Sequence, residues 1–329
     1  MPRIKRKLDF EVLLNRFLNS KKSDGCASRT ISDYEFHARK FWKWVQEECE
    51  GLSFQDVSKD IVREHINYLR FDKVKWDNHP YHKPQGSGLS AATINLRIRN
   101  LKVFFNWLAG EGYVENSLMQ GMKQHKIDDD VINSLTEDEV LKLIKQPNLN
   151  TYTGYRDYVL MLFILDTGIR IGEALSLSDN DFCKTSIIVP SNISKTRKAR
   201  EIPLSKTVSL EIEQLIKEKF KNWDTHKIFT TYSGKPLTPS GFNHRLSKYA
   251  DKAGITRRIY PYLLRHTFAL LYLKLKHGDA FSLQRILGHS SLNTTRKYVH
   301  MSNIDLKEMH NIYSPIESLI SKEKRKIYR

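Results

Sequence analysis

The sequence predicts a mainly α-helical protein of two domains: an N-terminal helical bundle, then an α-rich domain interrupted by one small β-hairpin. Three observations predict it. Apolar residues recur at helical spacing through the first 115 positions. Residues 114–134, VENSLMQGMKQHKIDDDVINS, lose that periodicity. Two short β-branched runs, SIIVP and REIPL, flank a basic loop in an otherwise helical second half.

In chain order, FEVLLNRFL opens the first helix, and TISDYEFHARKFWKWVQEE carries the stripe Tyr34, Phe41, Trp42 and Val45. SKDIVREHINYLRF begins at Ser58, a good N-cap, and repeats Val62, Ile66 and Leu69. A loop over about 71–89 is rich in Gly, Pro, His and Lys. AATINLRIRNLKVFFNWLAGEGY then places Ile94, Ile98, Leu101, Phe105 and Leu108 on one face, with Arg97, Arg99 and Lys102 elsewhere on the helix. The expected domains are 1–114 and 135–329, joined by a linker over 115–134. Thr136 and Glu139 form a capping box where the second domain starts.

A chain of 329 residues that is 40% hydrophobic and 28% charged is expected to be globular. It has no apolar run of the roughly 18 residues a membrane span needs. MPRIKRKLDF lacks the apolar stretch of a signal peptide, so a cytoplasmic protein is expected. Cys26, Cys49 and Cys183 stand far apart, which argues against a disulfide framework or a cysteine-based zinc site. Fifty-four Lys and Arg against 37 Asp and Glu leave +17, with a pI near 9.6. Such an excess favours a nucleic-acid partner, because every cation placed on a phosphate releases condensed counterions.

The chemistry concentrates in three stretches. In LDTGIRIGEALSL, Gly168 ends a buried helix, Arg170 stands at the mouth of the next, and Glu173 follows one turn on. The pair reads either as a plain ion pair or as a guanidinium aimed at a phosphate. In YPYLLRHTFA, Arg265 interrupts an apolar helix, where a charge needs a buried partner or an anion. In QRILGHSSLNTTRKYVHMS, Gly288 ends a short helix, His289 occupies the turn, and Ser291 caps the helix that carries Tyr298.

The order TGxRxGE, basic hairpin, LRHT, LGH and a Tyr nine residues later resembles the tyrosine recombinases, the phage-integrase family. The resemblance implies a SAM-like core-binding bundle before the catalytic domain. It assigns Arg170, Arg265 and His289 to holding a DNA phosphate, Tyr298 to nucleophilic attack, and Glu173 and His266 to support. Lys195, eight residues before Pro203, falls where the family keeps its catalytic lysine, with Lys198 as the nearby competitor. One position departs: Tyr262 stands where the family usually has His.

A phenol donates a hydrogen bond, but with a pKa near 10 it is no imidazole base. An alternative is therefore a DNA-binding regulator that keeps the fold and has lost catalysis; a type IB topoisomerase is a more distant one. The resemblance further implies no cofactor and no metal. It implies double-stranded DNA with specific half-sites as partner, a homotetramer on paired sites, an accessory directionality factor, and a nucleoid-associated location in a bacterial cell. The tail, with Ile316, Leu319 and Ile320, is expected to pack on a neighbouring protomer.

Overall fold

The computed structural model describes residues 9–75, 77, 84–127, 134–274 and 279–301, the last three without their side chains. The DDD run, part of the 71–89 loop and the C-terminal tail lie outside the described residues. The chain forms two compact units, Met1–Asp130 and Val131–Arg329. No helix among the described residues is long and apolar enough to cross a membrane.

The first unit packs four helices, α1 (Phe10–Ser23), α2 (Ser28–Glu48), α3 (Lys59–Phe71) and α4 (Ala91–Gly110). Asp9, Ser58 and Ser90 cap α1, α3 and α4 by accepting from backbone N–H groups of the first turn. The core is aromatic: Phe10, Phe17, Phe41, Phe54, Phe104 and Phe105 are all buried, with Phe17 and Phe104 ring centroids 5.1 Å apart. A short antiparallel ribbon, β1 (Val74–Lys75) with β2 (Gln85–Ser87), was not foreseen in the 71–89 loop.

Residues just after α4 are tied back to the bundle. Met119 is fully buried, and the Asn95 amide exchanges two 2.8 Å hydrogen bonds with the backbone of His125. Arg97 also differs from a surface cation. It is partly buried beside His37 and His65, and both imidazoles are pushed down by burial first and by Arg97 second.

The second unit runs α5 (Glu137–Ile144), α6 (Tyr152–Thr167), α7 (Ile171–Ser176), β3 (Ser186–Val189), β4 (Arg200–Pro203), α8 (Lys206–Phe220), α9 (Pro239–Lys252), α10 (Pro261–Lys274), α11 (Ala280–Leu287) and α12 (Leu292–Met301). The Thr136–Glu139 capping box starts α5. β3 and β4 pair antiparallel, Ser186 opposite Pro203 and Val189 opposite Arg200. α10 lies against both α6 and α12, which brings the middle of α10 to the C-terminal end of α6.

Buried Asp157 ties α6 to α9. It accepts from the Arg156 guanidinium at 2.6 and 3.0 Å, from the Tyr249 hydroxyl at 2.9 Å, and from Arg245.

Gly168 closes α6 in the left-handed region at φ 60°. A Cβ there would lie 2.4 Å from Phe268 and 2.5 Å from Leu287. Gly168→Ala therefore meets both a backbone penalty and a clash with the core. It should destabilise the second unit by about 2–4 kcal/mol, seen as a lowered calorimetric transition for that unit.

Candidate active site

Three helix ends and one strand build the site, and carbonyl oxygens organise it. The last carbonyls of a helix have no partner within it and carry the negative end of its dipole. At the ends of α6 and α11 those oxygens accept from arginines.

Arg265, only 1% exposed, donates to Gly168 O at 2.6 Å and to Leu287 O at 3.0 Å. Arg170 reaches toward Leu287 O and Gly288 O, both at 3.5 Å. Arg200, on β4, donates to Ile286 O at 3.2 Å. Gly288 takes the left-handed conformation that ends α11, at φ 62°, and a Cβ on it would lie 2.9 Å from the Arg200 side chain. Both glycines take the turn without strain, and the bare Gly288 also lets the Arg200 guanidinium approach.

Glu173 is buried and holds two of the three cations. It accepts from Arg170 at 3.0 Å and from Arg200 at 2.6 Å. Burial works to raise its carboxyl; the Arg200 and then the Arg170 guanidinium outweigh that and leave it below the usual carboxylate range. Among the described residues Arg265 makes no direct salt bridge; the Glu173 carboxylate acts on it only through space. Burial, and after it the charge of Arg170, pulls its guanidinium down to about 10, so it stays protonated at neutral pH. Three guanidiniums face one carboxylate here, a net positive cluster suited to an anion.

The remaining groups gather on the same spot. His289 Nε2 meets an Arg265 Nη at 2.9 Å, and its Nδ1 meets Thr295 Oγ1 at 2.9 Å. Burial, then Arg265, pushes its imidazole down to about 4, so it is neutral. Tyr298, 3% exposed, stacks parallel to His289 with ring centroids 6.3 Å apart, and its ring is 5.1 Å from that of His266. Burial raises its phenol, the neighbouring Tyr262 raises it further, and Arg265 opposes both.

His266 is wedged edge-on to Tyr262 at 4.3 Å. Burial and then Arg265 keep it neutral, near 4, and among the described residues neither of its ring nitrogens has a hydrogen-bond partner. Tyr262, half exposed, stands at the rim.

The structure thus brings together Arg170, Glu173, Tyr262, Arg265, His266, His289 and Tyr298. It does not bring Lys195 in. That residue is exposed on the hairpin loop, whereas Lys198 lines an adjoining cleft of about 880 Å³ together with Arg200, Arg285, Gly288 and His289.

Arg200 is the residue the sequence reading missed. Its available signal was a cation at the start of an apolar strand, directly after the basic loop.

Residues 133–303 match the Phage integrase family. The chain is 33% identical over 230 residues to the tyrosine recombinase XerC of Oceanobacillus iheyensis, covering 68% of this chain and 74% of that protein. It is 28% identical over 309 residues to the tyrosine recombinase XerD of Shewanella oneidensis, covering 92% and 96%. Its fold is similar to the crystal structure of the XerH site-specific recombinase bound to a palindromic difH substrate, a post-cleavage complex. That likeness has a TM-score of 0.70 at 20% identity and covers 95% of this chain and 99% of that one.

Proposed function

This chain belongs to the phage integrase family and is a site-specific DNA recombinase, and on that premise we propose that Tyr298 attacks the scissile phosphate, leaving a 3′-phosphotyrosine and a free 5′-hydroxyl. The observation that carries the assignment is the position of the Tyr298 phenol: it is held against neutral imidazoles and within the field of Arg265, in a cluster with three guanidiniums and one carboxylate.

Arg170 and Arg265 then hold the non-bridging oxygens, where negative charge concentrates during in-line attack, and His289 is the third donor. Glu173 fixes Arg170, and Arg200 joins the set by fixing Glu173. Tyr262 supplies a hydroxyl donor at the rim, and His266 backs the Tyr298 ring. The phosphodiester energy is kept in the covalent link, so resealing by the 5′-hydroxyl of a partner strand needs no cofactor.

Residues 1–114 act as the core-binding domain and 135–329 as the catalytic domain; of the segment 115–134 between them, the part around Met119 and His125 packs on the first. The partners are duplex DNA with paired half-sites, three further copies of the chain in a tetramer, and an accessory directionality factor. The site of action is the nucleoid of a bacterial cell.

The test uses labelled DNA from the regions flanking the gene, screened for a fragment that the protein shifts in a gel. That fragment is nicked beside the cleavage position and run in SDS. A covalent adduct supports the reading; specific binding with no adduct at any nick position overturns it.

Lys195 is proposed as the general acid for the leaving 5′-oxygen, swung in by its loop. Lys195→Ala should slow cleavage by about 10²–10⁴. A bridging sulfur in place of that oxygen should restore it, since a thiolate leaves without protonation. If rescue by sulfur is seen with Lys198→Ala instead, the acid is Lys198.

A further inference from the structure

Arginine has no acceptor, so the 2.9 Å contact between Arg265 and His289 Nε2 has one direction. Nε2 accepts and carries no proton. The ring is neutral because burial, and then Arg265, Arg170, His266 and Arg200, all face it and disfavour a second proton. Its single proton is therefore on Nδ1, which donates to Thr295 Oγ1 at 2.9 Å. Thr295 is fully buried and lies one turn before Tyr298 on α12.

A phosphate oxygen only accepts. A His289 that donates to phosphate through Nε2 must carry its proton there, the reverse of the arrangement just described. We propose that Thr295 is a positioning residue that sets the tautomer of His289: its hydroxyl accepts from Nδ1 in the free protein and turns to donate to Nδ1 when Nε2 takes the proton and faces phosphate. The inference rests on the reading of His289 as a phosphate donor.

The balance is neutral. One proton leaves Nδ1 for solvent, and one enters Nε2 from solvent. The Arg265 hydrogen that was given to the imidazole is released for the phosphate.

A hydroxyl is the group for this work because it donates or accepts by rotating about one bond. Valine has nearly the same shape and does neither. Because Thr295 shares α12 with Tyr298, one helix carries both the nucleophile and the support of the phosphate donor.

The first test needs no DNA. Long-range ¹H–¹⁵N correlation on the ¹⁵N-labelled full chain reads both nitrogens of His289 at neutral pH. A protonated Nδ1 and a bare Nε2 are expected, with the proton shifting to Nε2 as dimethyl phosphate, a diester anion with no P–OH to donate, saturates the site. A protonated Nε2 in the free protein overturns the proposal, as does an unchanged tautomer when the arginine resonances show phosphate bound.

The second test uses the nicked fragment. Thr295→Val should lower the rate of adduct formation about 10–100-fold, and Thr295→Ser should restore it. In a His289→Trp background, where the indole N–H is a fixed donor with no tautomer, Thr295→Val should cost nothing further. An equal loss in both backgrounds marks a merely structural role and overturns the proposal. If wild type shows the expected tautomer and yet no adduct, it is the nucleophile reading that fails.

Discussion

Tyr298→Phe should bind its DNA like wild type and form no SDS-stable adduct with it. The substitution removes one oxygen and keeps the ring that fills the pocket among Phe268, Leu283 and Leu287. Folding and affinity are therefore expected to stay within a few-fold. Loss of the nucleophile leaves only positioning, and removing such a group costs at least about 10³-fold. Adduct formation at a wild-type rate would move the nucleophile elsewhere.

The site also raises the question of the proton. Burial makes the Tyr298 phenol harder to ionise, and Arg265 and Arg170 work in the opposite direction, so its proton is expected to leave only as the oxygen attacks, in step with the proton supplied to the leaving 5′-oxygen. Free protein should accordingly show no tyrosinate absorbance from Tyr298 up to pH 10.

Arg265→Lys tests the opposite side of the reaction. The wild-type guanidinium spans Gly168 O, Leu287 O and His289 Nε2. A planar fork does this from one position, and a single ammonium cannot. Lysine would keep the charge and lose the geometry. The expected cost is about 10²–10³-fold in the rate of adduct formation.

Stability should fall as well, by about 1–3 kcal/mol, because a buried carbonyl is left unsatisfied. Calorimetry of the free protein measures that loss, and adduct formation well below the variant's melting temperature separates the chemistry from it. A rate within two-fold of wild type would mean that charge alone is needed and that the carbonyl clamp is incidental.

Much of the site was legible because its markers are local. Gly168 and Gly288 end helices in a conformation that glycine adopts without strain, so the turns holding Arg170 and His289 could be read from chain order. The capping box at Thr136 and the paired runs around 186–190 and 200–204 are likewise short-range. The aromatic stripe of the first unit was legible for the same reason, since helical periodicity alone puts Phe41 and Phe105 on buried faces.

Other features depend on partners far away in the chain. Arg200 looked like an ordinary strand residue because the carboxylate it pairs with, on Glu173, and the carbonyl it meets, on Ile286, come from other elements. Arg97 looked solvated because its burial is created by α2 and α3, which carry His37 and His65. The packing of the segment around His125 onto Asn95 follows no periodicity, since a side-chain amide reading a backbone leaves no pattern.

The sequence by itself determined the two helical units, the hairpin, the family and the order of the chemistry-bearing residues, because caps, glycine turns and apolar spacing act over a few residues. Only the tertiary structure decided what those residues touch. The end of α11 lies where the carbonyls of Ile286, Leu287 and Gly288 meet Arg200, Arg265 and Arg170. That meeting places Arg265 against His289, and the direction of one hydrogen bond then assigns the imidazole proton. Such facts come from helices packing across the chain, where hydrogen-bond geometry rather than local spacing selects the partner.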